Sequence, residues 1–500
     1  MTVEGRKARH LLLLAVVQAL WLVAAMPIFA QECYYWNYAQ HLAWSYHDHP
    51  PMVAWLIGLG TVLFGNGALG IRVGTLACGL GVVLVGRALL REFGANRHSQ
   101  LAWLLLFACV PILMMTRFLA NPDSPLVFFW ILSIFALWKA RAGLLRWWVL
   151  AGLAAGLALL SKYTAAFLAA GGILILLRDA PMRRQLRRPG PWVGLLSATL
   201  TFSPVILWNV ANHFESFRFQ TANRWKDAGL SLRWPPALLG GQLAAINPVV
   251  ACALPAALLW LWRRARTADP RPLWLFAFGL PLPLFMLLNS LFIQVKINWL
   301  VPAYSPLLLG IALWWGESSY VDRHPLLARR ASIATLAAGF LALLAPLVRL
   351  VPQRRHACWS GWPEIAGCAR KWQGILDKED LVDGNVFFFA SDYKDASQLT
   401  HSLRLSGQED GRKEEIGPTL AQNVFGEDAL QYDHWESPDR HIGEDAVFVL
   451  TRPELRQRQV QRAREHFADV EPVQRLLIHR LGIQVLVVDL FICRGYLGPD

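Results

Sequence analysis

Apolar residues in this chain do not alternate or recur every third or fourth position. They come in long runs, and the runs repeat along the first two-thirds of the sequence. A helix needs about 20 predominantly apolar residues to cross the hydrocarbon core of a bilayer. Runs of about that length predict spans at 11–30, 68–90, 100–116, 124–142, 147–161, 163–178, 191–208, 239–262, 273–292, 297–315 and 331–350. The fold class is therefore a polytopic α-helical membrane protein with about 11 or more transmembrane helices. Leu11 to Ala30 is long enough to span and is read as a retained first helix rather than a cleaved signal. The fifth and sixth runs are short and meet at "LLSKYTA", which predicts a tight helical hairpin with Lys162 at its outer end.

From about Val351 the pattern changes. Charged residues become frequent and no run is long enough to span. "NVFFFASD" (Asn385–Asp392), "AVFVLT" (Ala446–Thr451) and "QVLVVDLFI" (Gln484–Ile492) predict buried strands. "PELRQRQVQRAREHF" (Pro453–Phe467) predicts a surface helix with Pro at its start. Residues 1–350 thus read as a transmembrane domain with a first external loop at 31–66, and 351–500 as a soluble α/β domain.

Composition sharpens this. With 55% hydrophobic and 17% charged residues and a mean hydropathy of +0.34, a soluble protein of 500 residues is excluded. The net charge of +13 does not point to nucleic acid, because the cations sit in short clusters between apolar runs. Those clusters fall on one side of the membrane if the spans alternate, and the positive-inside rule makes that side cytoplasmic. The N-terminus is then cytoplasmic and the C-terminal domain periplasmic, in a bacterial inner membrane. Seven cysteines are present. Cys78, Cys109 and Cys252 fall within predicted spans. Cys358, Cys368 and Cys493 fall in the external domain, where one bridge could persist.

The candidate chemistry gathers on the external face. "QECYYWNYAQHLAWSYHDHPPMVAWL" (Gln31–Leu56) holds Glu32, Asp48 and His49, followed by the stiffening pair Pro50-Pro51. Its aromatic middle predicts an interfacial amphipathic helix, with Tyr34, Tyr35, Trp36 and Trp44 at headgroup depth. The plainer alternative is an aromatic belt with solvated acids. Asp123, in "ANPDSPLVFFW", stands where a helix N-cap is expected. Arg72, Arg117, Lys162, Arg218, Arg224 and Lys296 form a cationic group. Cations at one face bind lipid headgroups loosely or one phosphate specifically. Together with carboxylates they suggest a phosphate-bearing lipid substrate. In the soluble domain, Asp433 and His434 of "QYDHWES" are read as structural or docking residues.

At this point the motifs resemble a known superfamily. "E-x-Y-Y-W … S-Y-x-D-H-P-P-M-V-A-W" (Glu32–Trp55) resembles the first external loop of C-type (GT-C) integral-membrane glycosyltransferases. These include the dolichyl-phosphate-mannose–protein mannosyltransferases and the lipid A aminoarabinose transferase. "NPDSPLVFFW", "SKYTAAFL", "ESFRFQTANR" and "KINWLVPAY" resemble later segments in the expected order. The resemblance implies inverting transfer of a sugar from a polyprenyl-phosphate carrier to a lipid (lipid A-like), glycan or protein acceptor.

The superfamily carries an Asp-Glu pair after the first span. This chain has Gln31-Glu32, and Gln accepts no proton. Where the aminoarabinose transferase has acid-Lys-Pro-Pro, this chain has Asp48-His49-Pro50-Pro51. The candidate bases are therefore Asp48 and Glu32. The candidate donor-phosphate contacts are Lys162, Arg72 and His49, with Tyr35, Arg117, Arg224 and Lys296 beside them. Asp48, His49 and Asp123 are the residues whose chemistry suits a divalent metal ion, the one cofactor suggested. Two rival functions are a lipid-linked sugar flippase or transporter, which would tend to show internal repeats, and an inactive relative that only binds the lipid-linked sugar.

Overall fold

The protein is described by a computed structural model covering residues 3–226, 228–352, 359–379, 386–409 and 416–499. The chain divides into two compact units, and not at a single point. One contains Met1–Ala24, Trp44–Gly60 and Arg72–Ala345; the other contains Ala25–Ala43, Thr61–Ile71 and Pro346–Asp500. The first external loop is thereby shared out, with Glu32 in one unit and Asp48 in the other.

The first unit is a helical bundle. Among the described residues, seven helices are long and apolar enough to span a membrane, or up to nine if each of two bent pairs is one span. That is fewer than the eleven runs read from hydropathy. Three apolar helices are too short to qualify: Met52–Phe64, Leu145–Ser161 and Tyr163–Arg178. The bent pairs break at identifiable places. Arg97–Cys109 and Pro111–Phe118 meet at 69°, where Pro111 has no N–H to continue the ladder. Trp234–Ala245 and Pro248–Arg264 meet at 105° across Asn247, whose φ is 73°. The first helix ends at Ala25, not Ala30, just before Pro27; a separate helix starts at Ala30.

Small residues let two helices approach closely. The Leu145–Ser161 helix lays Gly152 and Gly156 against the Gly190–Ala211 helix. A Cβ at Gly152 would sit 2.1 Å from the Gly194 carbonyl oxygen, and one at Gly156 would sit 2.5 Å from Thr201 Cβ. Gly152→Val is therefore expected to destabilise the bundle by roughly 1–3 kcal/mol through overpacking. A fall in the thermal midpoint of the purified chain in detergent checks this, with Gly172→Ala, which meets open space, as the control. The two helices flanking Lys162 do not form the expected tight hairpin. Leu145–Ser161 packs on Asp123–Ala140 and Gly190–Ala211, whereas Phe167–Arg178 packs on Arg271–Gly279.

The second unit is built on a five-stranded sheet: β1 (Phe387–Ala390), β2 (Thr419–Leu420), β3 (Ala446–Leu450), β4 (Phe467–Arg480) and β5 (Ile483–Tyr496), in the order β2-β1-β3-β5-β4. β1 runs parallel to β2 and β3; β5 is antiparallel to β3 and β4. Alternation splits the side chains between two layers. Phe388, Val447 and Val449 face a core with Ile365, Ala366, Leu399 and Leu403. Phe387, Phe389 and Phe448 face another with Ala463 and Phe467. The three strands expected from sequence lie at β1, β3 and β5, though Asn385 is outside the described residues. The expected surface helix forms as a 3-10 turn at Pro453–Leu455 followed by Arg456–His466. β2 and β4 were not expected. β4 is a half-exposed edge strand interrupted by Pro472, so it carries no apolar run.

The aromatic stretch also differs from expectation. Ala30–Gln40 is a helix whose residues from Glu32 to Tyr38 are all buried, so it is not an interfacial amphipathic helix. It packs on the Tyr393–Glu409 helix and on "QYDHWES". Asn37 Nδ2 donates to Tyr432 Oη at 2.8 Å, the Gln431 N–H donates to Tyr34 Oη at 3.2 Å, and Trp435 lies 5.5 Å from Tyr38. Trp44 alone of the four named aromatics is exposed. Cys368 and Cys493 are both free thiols, and Cys358 lies outside the described residues.

Candidate active site

In the first unit, a cluster of charged groups forms where four elements meet. The Asp123–Ala140 helix starts with Asp123, which is 2% exposed. Its cap is not its own side chain: Asn121 Oδ1 accepts the Ser124 N–H at 3.1 Å. Asp123 is thus released from the capping role expected of it. Its Oδ1 accepts from Lys162 Nζ at 2.7 Å and its Oδ2 from Asn298 Nδ2 at 2.6 Å.

Lys162 sits at a helix break with extended backbone, φ −163° and ψ 141°. Neither Pro nor Gly causes this break; "SKYT" is the local sequence. The ion pair with Asp123 accompanies it, and a buried ammonium of this kind is tolerable only when paired.

Asp48 is 5% exposed and lies between Tyr46 and Pro50, where the Tyr46 N–H donates to the His49 carbonyl at 3.2 Å. Gln220 Nε2 donates to the Asp48 backbone oxygen at 2.6 Å. The Asp48 carboxylate is 3.9 Å from His49 Nε2. Burial is the largest influence on His49, and it pushes the imidazole pKa down to about 4. Asp48 and Asp123 oppose this, while Lys162 and Arg224 reinforce it. His49 is therefore a neutral imidazole at pH 7 and offers a hydrogen bond, not a cation. An unfolded chain takes up a proton at this residue near pH 6.5, and the folded chain does not until about pH 4. His49 thus contributes stability that is present above pH 6.5 and is lost as pH falls toward 4. Comparing the thermal midpoints of native and His49→Gln chains across that window should show a shallower pH dependence in the variant.

The segment Glu215–Arg224 straps the Asp48 turn in place. His47 Nδ1 and Glu215 Oε1 are 3.1 Å apart, and the His47 ring lies 4.7 Å from Phe219. Ser216 Oγ is 2.6 Å from Tyr163 Oη, and Asn209 Oδ1 accepts the Phe217 N–H at 3.2 Å. Arg224 closes the strap, with its guanidinium 5.3 Å from the Phe219 ring and 4.9 Å from the Trp299 ring.

The structure thus gathers Asp48, His49, Asp123, Lys162 and Arg224 into one cluster. Other sequence candidates have different surroundings. Arg72 is fully buried and donates from Nη1 to the Val23 carbonyl at 2.9 Å. Arg117 is also buried, donating to the Ala15 and Ala108 carbonyls, both at 3.2 Å. Lys296 is exposed and precedes the 3-10 turn Ile297–Leu300. In the second unit, Tyr35 is buried among Tyr34 and Tyr38. Glu32 is 1% exposed and satisfies the helix N-terminus by accepting the Phe29 N–H at 3.0 Å, the acidic half of a capping box.

The residues that sequence reading missed are Asn298, Gln220, His47, Glu215, Ser216 and Tyr163. All lie within the recognised segments, but neutral or singly charged side chains there did not stand out. The set Asp48, His49 and Asp123 fits a divalent ion poorly as it stands, because both Asp123 oxygens are engaged and an ammonium lies 2.7 Å from one of them.

A family model described as dolichyl-phosphate-mannose-protein mannosyltransferase matches residues 48–208. Lipid A galacturonosyltransferase RgtD of Rhizobium johnstonii is 27% identical over 306 residues, covering 59% of this chain and 63% of its own length. The undecaprenyl phosphate-alpha-4-amino-4-deoxy-L-arabinose arabinosyl transferase 1 of Pseudomonas fluorescens is 29% identical over 337 residues, covering 62% of this chain and 57% of its own. The match thus spans about three-fifths of these relatives. ArnT from Cupriavidus metallidurans, in its crystal structure bound to undecaprenyl phosphate, superposes with a TM-score of 0.60 at 16% identity, over 98% of both chains. The chain therefore has the C-type (GT-C) integral-membrane glycosyltransferase fold of the lipid A aminoarabinose transferase type.

Proposed function

We propose that this protein transfers a sugar from a polyprenyl-phosphate carrier to a lipid A-like acceptor at the periplasmic face of a bacterial inner membrane. One observation carries the proposal: a buried carboxylate, Asp48, flanks His49 in the same cluster as the buried Lys162–Asp123 ion pair, in a chain of this fold. Transfer with inversion needs a base for the acceptor hydroxyl and a cation for the leaving phosphate. Asp48 suits the first role. Lys162 suits the second, with Asp123 and Asn298 as positioning residues, Arg224 beside it and His49 as a neutral donor. Glu32, Tyr35, Arg72, Arg117 and Lys296 are given no role in the transfer step. The relative named as a lipid A galacturonosyltransferase supports a lipid acceptor over a protein one. No step is assigned to a metal.

A deletion strain tests the proposal. Mass spectrometry of its envelope lipids should show loss of a glycosylated lipid, restored by the native gene and not by one encoding Asp48→Asn. An unchanged lipid profile would contradict the proposed acceptor. The orientation is tested separately. A reporter that is active only in the periplasm should be active when fused after Asp500, and activity of a cytoplasm-only reporter there would overturn the assignment of faces.

A further inference from the structure

The β4–β5 hairpin of the second unit extends beyond the sheet. β5 pairs with β3 only at Asp489–Cys493, so Ile483–Val488 and the facing half of β4 form a two-stranded arm. Six residues of strand make that arm about 20 Å long. It is braced and not loose. Ile478 and Val485 bury their side chains with Trp362, Ile365 and Ala366. Arg480 pairs with Glu364 at 2.7 Å, and Gln474 Oε1 accepts from Trp372 Nε1 at 3.1 Å.

The tip of this rigid arm is apolar where a hairpin tip is normally polar. Its two-residue turn is Leu481-Gly482, with φ 50° and 80°. Two positive φ values are what a type I′ turn requires, and Asn-Gly or Asp-Gly is the sequence that meets it without strain. Leu481 occupies the strained position and is 87% exposed. Ile483, beside it, is 45% exposed, and Leu477, further back along the arm opposite Val487, is 52% exposed. Among the described residues from 359 to 499, only five large hydrophobic side chains are exposed, and three of them are on this arm, two at its tip; the others are Ile442 and Leu497. The arm's arginines are held by carboxylates, Arg475 by Asp489 at 2.6 Å and Arg480 by Glu364, so among the described residues the arm presents no cluster of unpaired acids.

We propose that the tip of this hairpin inserts into the headgroup region of the bilayer in which the chain itself is embedded. A strained, exposed leucine is costly in water and is repaid by apolar burial at an interface. The same unit is joined to the membrane by its own chain: it includes Thr61–Ile71, where Val62 and Leu63 are 83% and 64% exposed and the Ala68–Glu92 span begins. The inference does not depend on the proposed sugar transfer. A second copy pairing along the edge strand β4 is the competing occupant.

Photo-crosslinking of the full chain in native membranes decides between them. Leu481→p-benzoylphenylalanine, irradiated in place, should give a tip peptide heavier by one phospholipid, whereas the exposed polar helix position Gln457→p-benzoylphenylalanine should not. Because a bulky residue in the turn can impair folding, the same measurement is made at Leu477 and Ile483, which are ordinary strand positions. Lipid adducts there, absent at Gln457, support insertion. Adducts to a second protein chain, or no lipid adduct above the Gln457 control at any of the three sites, overturn it.

Discussion

Asp48→Asn is expected to lower sugar transfer by about 10²–10⁴-fold while leaving donor binding and folding intact, since that is the usual contribution of a positioned general base. The substitution removes the proton acceptor and preserves size. It also spares the main tether of the turn, because Gln220 donates to the Asp48 backbone oxygen and not to its carboxylate. Glu32→Gln should cost less. Glu32 holds the start of the Ala30–Gln40 helix by accepting the Phe29 N–H, a task that a glutamine oxygen still performs. Turnover of the two variants under saturating donor separates these roles. Full activity in Asp48→Asn together with inactivity in Glu32→Gln would move the base to Glu32. A gain of activity in Gln31→Asp from a silent native chain would identify an inactive relative.

Lys162→Met should weaken donor binding by tenfold or more. A charge-assisted contact to phosphate in a desolvated site contributes roughly 1.5–3 kcal/mol, and about 1.4 kcal/mol is a factor of ten. The same change leaves the buried Asp123 carboxylate with Asn298 in place of an ammonium 2.7 Å away, which costs stability as well. The double variant Lys162→Met/Asp123→Asn separates the two effects. It removes the orphaned charge, so its thermal midpoint should recover toward the native value. Its affinity for a polyprenyl phosphate should stay low. Recovery of both would make Lys162 a structural partner of Asp123 and nothing more.

Much of the fold was legible in the sequence because bilayer spans and buried strands leave one-dimensional signals. Nine of the predicted runs correspond to spans or bent spans, β1 and β3 are apolar throughout, and β5 carries the apolar run Val485–Val488. Where tertiary contacts decide, the signal fails. Nothing in "YYWNY" announces that both faces of its helix are covered, because aromatic residues suit a membrane interface and a packed core equally well. β4 reads as polar because it is an edge. The site was legible as charges in motifs: Asp48, Asp123 and Lys162 were each singled out, and the structure brings them to one place. Their partners were not. Asn298, Gln220 and Tyr163 act through single hydrogen bonds across 53 to 175 residues of sequence, and only a folded chain reveals such pairs.

The most direct measurement is a mass balance on the purified full-length chain in lipid nanodiscs, supplied with a polyprenyl-phosphate-linked sugar and a lipid A acceptor. Transfer predicts that free polyprenyl phosphate appears in step with glycosylated acceptor, and that Asp48→Asn abolishes both signals together. Carrier that remains intact while bound, or that crosses the bilayer with its sugar still attached, would contradict the account and leave a binding protein or a flippase in its place.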